Sequence, residues 1–167
     1  MPMSITEDLP DLPPAARQVA DLLAGLGHSG EVRMLADSAR TAAEAAAALG
    51  CSVGEIAKSI VFRRIEDDNA VVVICSGDNR VDASKVASLV GAVGKADADF
   101  VRAATGYAIG GVSPVGHPDD VVFLIDRDLA RFDTIWAAAG HPHAVFPLTP
   151  ADLSAWLGVE PADVRID

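Results

Sequence analysis

Residues 58–74 read Lys-Ser-Ile-Val-Phe-Arg-Arg-Ile-Glu-Asp-Asp-Asn-Ala-Val-Val-Val-Ile. A mostly apolar run, Lys58–Ile65, meets the turn signal Asp67-Asp68-Asn69 and returns as Ala70–Ile74, which is the pattern of a β-hairpin. Strands joined by so short a turn must be antiparallel, because a parallel return needs a crossover of a dozen residues or more. A doubly wound parallel sheet is therefore disfavoured. The expectation is an α+β fold with a mixed, largely antiparallel sheet, curled or closed and covered by helices.

The flanking segments agree. Pro13 and Pro14 precede Ala15–Leu26, where Val19, Leu22, Leu23 and Leu26 recur at helical spacing and Gly27 suits the end. Glu31–Leu35 has the look of a short strand. Thr41 with Glu44 forms a capping box for Ala42–Leu49, and Gly50 stops that helix. A helical turn is expected at Val53–Ala57. Helices are expected from Asp82 or Ser84 through Val90, and over Ala98–Ala104 with Asp97 as cap. Val121–Ile125 reads as a strand, Thr134–Ala139 as a helix ended by Gly140, and His143–Phe146 as a strand. Thr149 caps a last helix, Pro150–Leu157, with proline at its first position. Residues 1–14 are expected to be a flexible N-terminus and 15–167 one domain.

The chain has 167 residues and a formal charge of −11, with half its residues hydrophobic and 5% aromatic. The core is thus built mainly of Ala, Val, Leu and Ile. Such a charge argues against indiscriminate nucleic-acid binding and against a DNA partner. Residues 31–102 nevertheless carry nine of the basic residues against eleven acids. A small RNA contact fits there, and a long basic groove does not. Lys58, Arg63, Arg64, Arg80, Lys85 and Arg102 are the cations that would have to gather at one opening. Cys51 and Cys75 lack CxxC spacing and read as reduced thiols, which suits a cytoplasmic protein. The longest apolar stretch, Ala70–Cys75, is far too short to span a bilayer, so no membrane partner is expected.

Two constellations carry chemistry. Lys58 shares a strand face with Ile60 and Phe62. Either its ammonium lies in water at a strand end, or it projects into a cavity. Residues 106–114 read Gly-Tyr-Ala-Ile-Gly-Gly-Val-Ser-Pro. This is either an ordinary connection or a loop, formed by Gly106, Gly110 and Gly111 with Pro114, that offers N–H groups to a carbonyl or phosphate. Ser113, His117 and Asp126 invite a hydrolase triad, but Pro114 removes the N–H an oxyanion hole would use there. Asp126 is either a helix N-cap or a carboxylate at a pocket rim. His141-Pro142-His143 has no third ligand near it in sequence, so no metal and no cofactor are expected.

These pieces, in this order, resemble the YbaK / prolyl-tRNA-synthetase-associated editing-domain family. They are Thr41…Ala45-Ala46…Leu49-Gly50, Ile56-Ala57-Lys58-Ser59-Ile60-Val61-Phe62, Gly77-Asp78…Val81-Asp82, Thr105-Gly106-Tyr107…Gly110-Gly111-Val112-Ser113-Pro114, Ile125-Asp126, Ala139-Gly140 and Leu148…Pro150…Leu153. The resemblance runs from about residue 15 to the end. It implies a sheet forming a distorted barrel with flanking helices. It also implies hydrolysis of the ester in a mischarged aminoacyl-tRNA, chiefly tRNA for proline carrying Cys, Ala or another small amino acid. Lys58 matches the family's lysine, which engages the terminal adenosine or its phosphate. Gly110–Pro114 matches the loop whose N–H groups position the aminoacyl carbonyl, and Asp126 a pocket aspartate. Met34 stands where YbaK-like members carry tyrosine. A lysine beside a phosphate stays protonated, so its role would be electrostatic and not that of a base. The implied partners are the aminoacyl-tRNA 3′ end and prolyl-tRNA synthetase. No synthetase signature flanks the domain, so a free-standing trans-editor is expected.

Overall fold

The computed structural model describes residues 12–29, 31–36 and 41–167. Expectations for residues 1–11 lie outside the described residues. The elements are α1 (Pro14–Gly25), β1 (Arg33–Met34), α2 (Ala42–Leu49), β2 (Ile56–Arg64), β3 (Ala70–Ser76), α3 (Ala83–Val90), β4 (Val93–Lys95), α4 (Ala98–Thr105), β5 (Val122–Asp126), β6 (Ile135–Ala138), β7 (Ala144–Leu148), α5 (Pro150–Leu157) and β8 (Pro161–Ala162). Single 3₁₀ turns lie at Val53–Glu55 and Arg127–Arg131.

The hairpin that decides the fold is present. β2 and β3 pair antiparallel from Ala57 opposite Ser76 to Arg63 opposite Ala70. β3 is buried along its whole length. It lies between β2 and the parallel β5, with helices on both faces, so it reads as a continuous apolar run with no alternation of polarity. Val72 and Ile74 pack into the larger core with Val19, Leu23, Phe146 and Leu153. Val71 and Val73 pack on the other face with Val86 of α3, Leu124 and Val164. Each such side chain stabilises the fold by about 1.5–3 kcal/mol through burial.

The sheet is mixed, and its strand order is β1-β7-β6-β2-β3-β5-β8 with β4 added beside β2. β2 has two neighbours in turn along one edge. Ile56 and Ala57 pair with β6, whereas Phe62–Arg64 pair with β4. Lys58–Val61 lie between these ladders and pair only with β3 among the described residues.

Helix ends follow the sequence signals. The Thr41–Glu44 and Thr149–Asp152 capping boxes are formed, and Asp82 and Asp97 cap α3 and α4. One element differs in kind: residues 134–139, expected as a helix, contain strand β6. Alanine's helix preference over so short a run is worth only tenths of a kcal/mol per residue, and six residues barely nucleate a helix. Pairing with β7 on one side and β2 on the other outweighs it. Burial alternates along β6, with Ile135 and Ala137 in the core and Trp136 and Ala138 on the opposite face. Strands β4 and β8, of three and two residues, carry too little periodicity to be read from sequence.

Candidate functional site

A cavity of about 200 Å³ opens where β6 leaves β2. Its walls come from Ile56–Ser59 of β2, Trp136 and Ala138 of β6, Ala42 and Ala45 of α2, and the loop residues Gly110 and Val112. Strand β2 therefore delivers Lys58 to the same cavity as the first half of the glycine-rich stretch. The Lys58 side chain is half-buried and makes no hydrogen bond or ion pair with any described residue. The Oγ of neighbouring Ser59, also on this wall, is buried with no partner among the described residues.

The loop is seated by close backbone contact. Gly110 has φ +87°, in the left-handed region, and lies against the Pro142 ring. Gly111 is buried so tightly on the turn at His141 that a Cβ there would stand 2.9 Å from the His141 main chain. The Gly111 N–H donates to the Ala108 carbonyl at 2.9 Å. It is therefore not available to a ligand, unlike the N–H groups of Gly110 and Val112, which have no main-chain partner among the described residues. The cavity wall thus carries two residues whose amides have no main-chain partner among the described residues, beside one cation with no ion pair there. That is a setting for an anionic group or for a carbonyl oxygen that gains charge.

The second half of the stretch turns away. Ser113 and Pro114 are buried, and neither lines this cavity. Pro114, Val115 and His117 instead face a separate groove of about 620 Å³ beside Leu22 of α1 and Trp156 of α5. The His117 Nε2–H donates to the Ser113 carbonyl, and the Tyr107 hydroxyl donates to the Val115 carbonyl at 2.6 Å. The His117 ring sits edge-on to Tyr107 and Phe123. Burial pushes its imidazole below the ordinary value. With His117 bonded to the serine's carbonyl and Asp126 elsewhere, no Ser-His-Asp triad is assembled.

Asp126 is 1% exposed and is absent from the cavity lining. Its carboxylate accepts from Ser76 N at 3.1 Å, Asn79 Nδ2 at 2.8 Å and Asp128 N at 2.9 Å, the last being the N-cap bond of the 3₁₀ turn. Met34 is 40% exposed on β1, and the next residue, Leu35, is the one that lines the cavity. Trp136, a wall residue of this cavity, is hidden in the sequence because residues 134–139 read as a helix, and Ile-Trp-Ala-Ala shows no alternation of polarity that would mark a strand. Arg33 lies over the Trp136 ring, 4.9 Å from its centroid. Cys75, the cross-strand neighbour of Lys58, is fully buried, and burial with the Asp126 charge pushes its thiol up to about 12. Among the described residues no group of His, Cys, Asp and Glu could hold a metal, and no helix is long and apolar enough to cross a membrane.

Of the six cations whose gathering at one opening would support a tRNA contact, Arg102 lines none of these cavities and the others divide into two sets. Arg63 and Arg64 are paired with Asp68 and Asp67, and Lys85 with Asp163 and Asp167. Lys58 and Arg80 instead line a common second cavity.

Residues 36–155 match the aminoacyl-tRNA editing domain family. A solved structure described as a candidate trans-editing enzyme for prolyl-tRNA synthetase superposes with a TM-score of 0.87 at 42% identity, covering 94% of this chain and 100% of that one. The uncharacterized protein YwhH of Bacillus subtilis strain 168 is 35% identical over 118 residues, 70% of this chain and 74% of YwhH. The proline–tRNA ligase of Leuconostoc mesenteroides is 39% identical over 84 residues, which are 47% of this chain and 14% of that ligase. With this match across most of its length, the chain belongs to the aminoacyl-tRNA editing domain family, which includes YbaK.

Proposed function

We propose that this protein is a free-standing deacylase that hydrolyses the ester of mischarged aminoacyl-tRNA, with tRNA for proline carrying Cys, Ala or another small amino acid as substrate. The observation that carries this reading is the cavity of about 200 Å³ holding an unpaired lysine beside the Gly110 and Val112 amides. Its volume is below the roughly 300–1,000 Å³ of pockets for drug-sized ligands, and suits an aminoacyl group with a small side chain. The similarity to a solved structure described as a candidate trans-editing enzyme for prolyl-tRNA synthetase supports action in trans.

An aminoacyl ester is labile, so orientation and stabilisation of the tetrahedral oxyanion suffice. The Gly110 and Val112 amides face the carbonyl oxygen as its charge grows. Lys58 holds the adenosine end through charge. Water, or a hydroxyl or thiol of the substrate, attacks. Ser113 and Cys75 are ill-suited as nucleophiles: Ser113 is buried outside the cavity, and the Cys75 thiol is held neutral. A second sieve of this size corrects a leak that a synthetase pocket cannot prevent, since one missing methylene is worth only about 1–3 kcal/mol.

The test is ester loss from Cys-, Ala- and Ser-charged tRNA for proline, with wild type and Lys58→Ala. Loss of one electrostatic contact in a transition state costs about 10²–10³-fold, and that fall is expected for Lys58→Ala. Equal rates for the two proteins refute the assignment. Binding of charged tRNA without turnover on any of the three substrates favours a non-catalytic module that recognises the tRNA end and docks on a synthetase.

A further inference from the structure

Lys58 lines two cavities. Besides the aminoacyl-sized one it borders a second, of about 410 Å³, whose other walls are Ile60, Phe62, Arg80, Val81 and Ile166. Lys58, Ile60 and Phe62 project from one face of β2, being alternate residues of a strand. Lys95 of β4 is the cross-strand partner of Phe62, and directly opposed residues share a face. The surface running away from the first cavity is thus a lysine, a half-buried aromatic ring that also packs on the Val71 and Val73 cluster, and a second lysine, with Arg80 alongside.

The charge state of this row is unusual for so acidic a chain. Arg63, Arg64, Lys85, Arg127, Arg131 and Arg165 each face a carboxylate. Lys58, Arg80 and Lys95 make no ion pair with a described residue. Asp82, next in sequence to Val81 of the cavity wall, caps α3, and Asp163 and Asp167 hold Lys85. Unpaired cations tracking past an aromatic face are what binds single-stranded nucleic acid: charge follows the backbone and the ring stacks a base. At about 3.3 Å per residue, Lys58 to Phe62 spans roughly 13 Å. That is room for about two to four nucleotides of a strand rising 3.4 Å or more at each step.

We propose that the Arg80–Phe62 cavity and Lys95 form the subsite for the single-stranded nucleotides that precede the aminoacylated adenosine, with Arg80 and Lys95 on phosphodiesters and Phe62 under a base. This deepens the deacylase reading and rests on it for the identity of the strand. Lys58 then stands at the junction, between the aminoacyl cavity and the strand that leads out of it.

The experiment compares two substrates that share the ester: charged tRNA, and aminoacyl-adenosine, which has no upstream phosphodiester. For Arg80→Ala, kcat/KM on charged tRNA is expected to fall about tenfold, at least five times more than on aminoacyl-adenosine. The slope of log kcat/KM against log salt is expected to drop by about 0.7, one single-strand phosphate contact. Lys95→Ala is expected to behave likewise, and Phe62→Leu to lower kcat/KM on tRNA without changing the salt slope. Equal losses on the two substrates, or none on either, overturn the subsite. A wild type inactive on both substrates refutes the deacylase reading instead. The subsite is then decided by fluorescence anisotropy with a labelled trinucleotide of the tRNA 3′ end. Tenfold weaker binding to Arg80→Ala sustains it, and equal binding overturns it. Adenosine or cytidine monophosphate competing as well as the unlabelled trinucleotide also overturns it, because the site would then hold a free nucleotide and not a strand.

Discussion

Replacing Gly111 by alanine tests whether the loop must lie on the His141 turn. The added Cβ would be 2.9 Å from His141 N and Cα and 3.0 Å from its carbonyl carbon. Ordinary contacts between such atoms are about 3.5–4.0 Å, so one of the two main chains must move by roughly 0.6–1 Å. Neither is a flexible side-chain tip. Overpacking of this kind costs about 1–3 kcal/mol. In a chain of this size that lowers Tm by about 2–12 °C. Moving Gly110 and Val112 by up to about 1 Å relative to Lys58 is expected to cost up to about 10²-fold in kcat/KM for deacylation, since misplacement on that scale spoils an oriented transition state. Gly106→Ala is the control. Gly106 has φ +82° and open space around it, so alanine there brings about 1–2 kcal/mol of backbone strain without pushing on the cavity loop. Thermal unfolding and ester loss from charged tRNA are measured for both. A Gly111→Ala protein with unchanged Tm and wild-type kcat/KM refutes the close approach. If Gly106→Ala loses as much activity as Gly111→Ala, the loss follows general stability and not loop position.

Three further outcomes are expected. Asp126→Asn turns one acceptor toward N–H groups that need two, and is expected to lower stability by about 2–4 kcal/mol in denaturant unfolding; a variant as stable as wild type would return Asp126 to a substrate-binding role. His117 is neutral and has its folded pKa lowered by burial, so below the unfolded value of about 6.5 the unfolded chain binds the extra proton. The stability this contributes is complete above that value and is lost as pH falls toward the folded pKa, so Tm of wild type is expected to fall more steeply than that of His117→Gln between pH 7.5 and 5.5; parallel curves contradict this. Of the two free thiols, Cys75 is fully buried with its pKa pushed up to about 12, so a disulfide reagent at pH 8 is expected to titrate only Cys51 rapidly, and Cys75 only after unfolding.

The parts of the fold visible in the sequence are those decided locally. Capping boxes at Thr41 and Thr149 satisfy N–H groups within four residues, and the hairpin announces itself through one turn between two apolar runs. What escaped is decided at long range. The segment Ile135–Ala138 is a strand because Leu148 and Ile56 lie on either side of it, and nothing within its own four residues says so. The same holds for the site. Lys58 and the glycine-rich stretch were visible as unusual residues, but the sequence did not say that only the first half of that stretch would face the lysine. That division comes from the His141 turn seating Gly111 and from the Ser113 and Val115 carbonyls being held on the far side by His117 and Tyr107. The six cations whose gathering at one opening would support a tRNA contact are kept apart for a related reason: the turn that supplies Asp67 and Asp68 also neutralises Arg64 and Arg63.

The position of the site follows from a mismatch in strand length. β2 has nine residues and β6 has four, and β6 pairs with β2 only at Ile56 and Ala57. Beyond them β6 bends away through Gly140, which has φ +86° and where an added Cβ would stand 2.9 Å from the Ala15 carbonyl oxygen, so no side chain is admitted. β4 takes up the same edge of β2 only from Phe62 onward. A longer β6 would continue the ladder past Lys58 and fill the space now open with its own side chains. Because it stops, four residues of β2 have no partner on that edge among the described residues, and the turn that ends β6 becomes the seat of the glycine loop. The gap therefore accounts at once for the cavity and for the lysine on its wall, as well as for the loop that closes it. On the deacylase reading, hydrolysis of an ester with no dedicated nucleophile is the chemistry such a gap can perform. It offers fixed amides, one charge and little room, and those act on a substrate that needs only to be held.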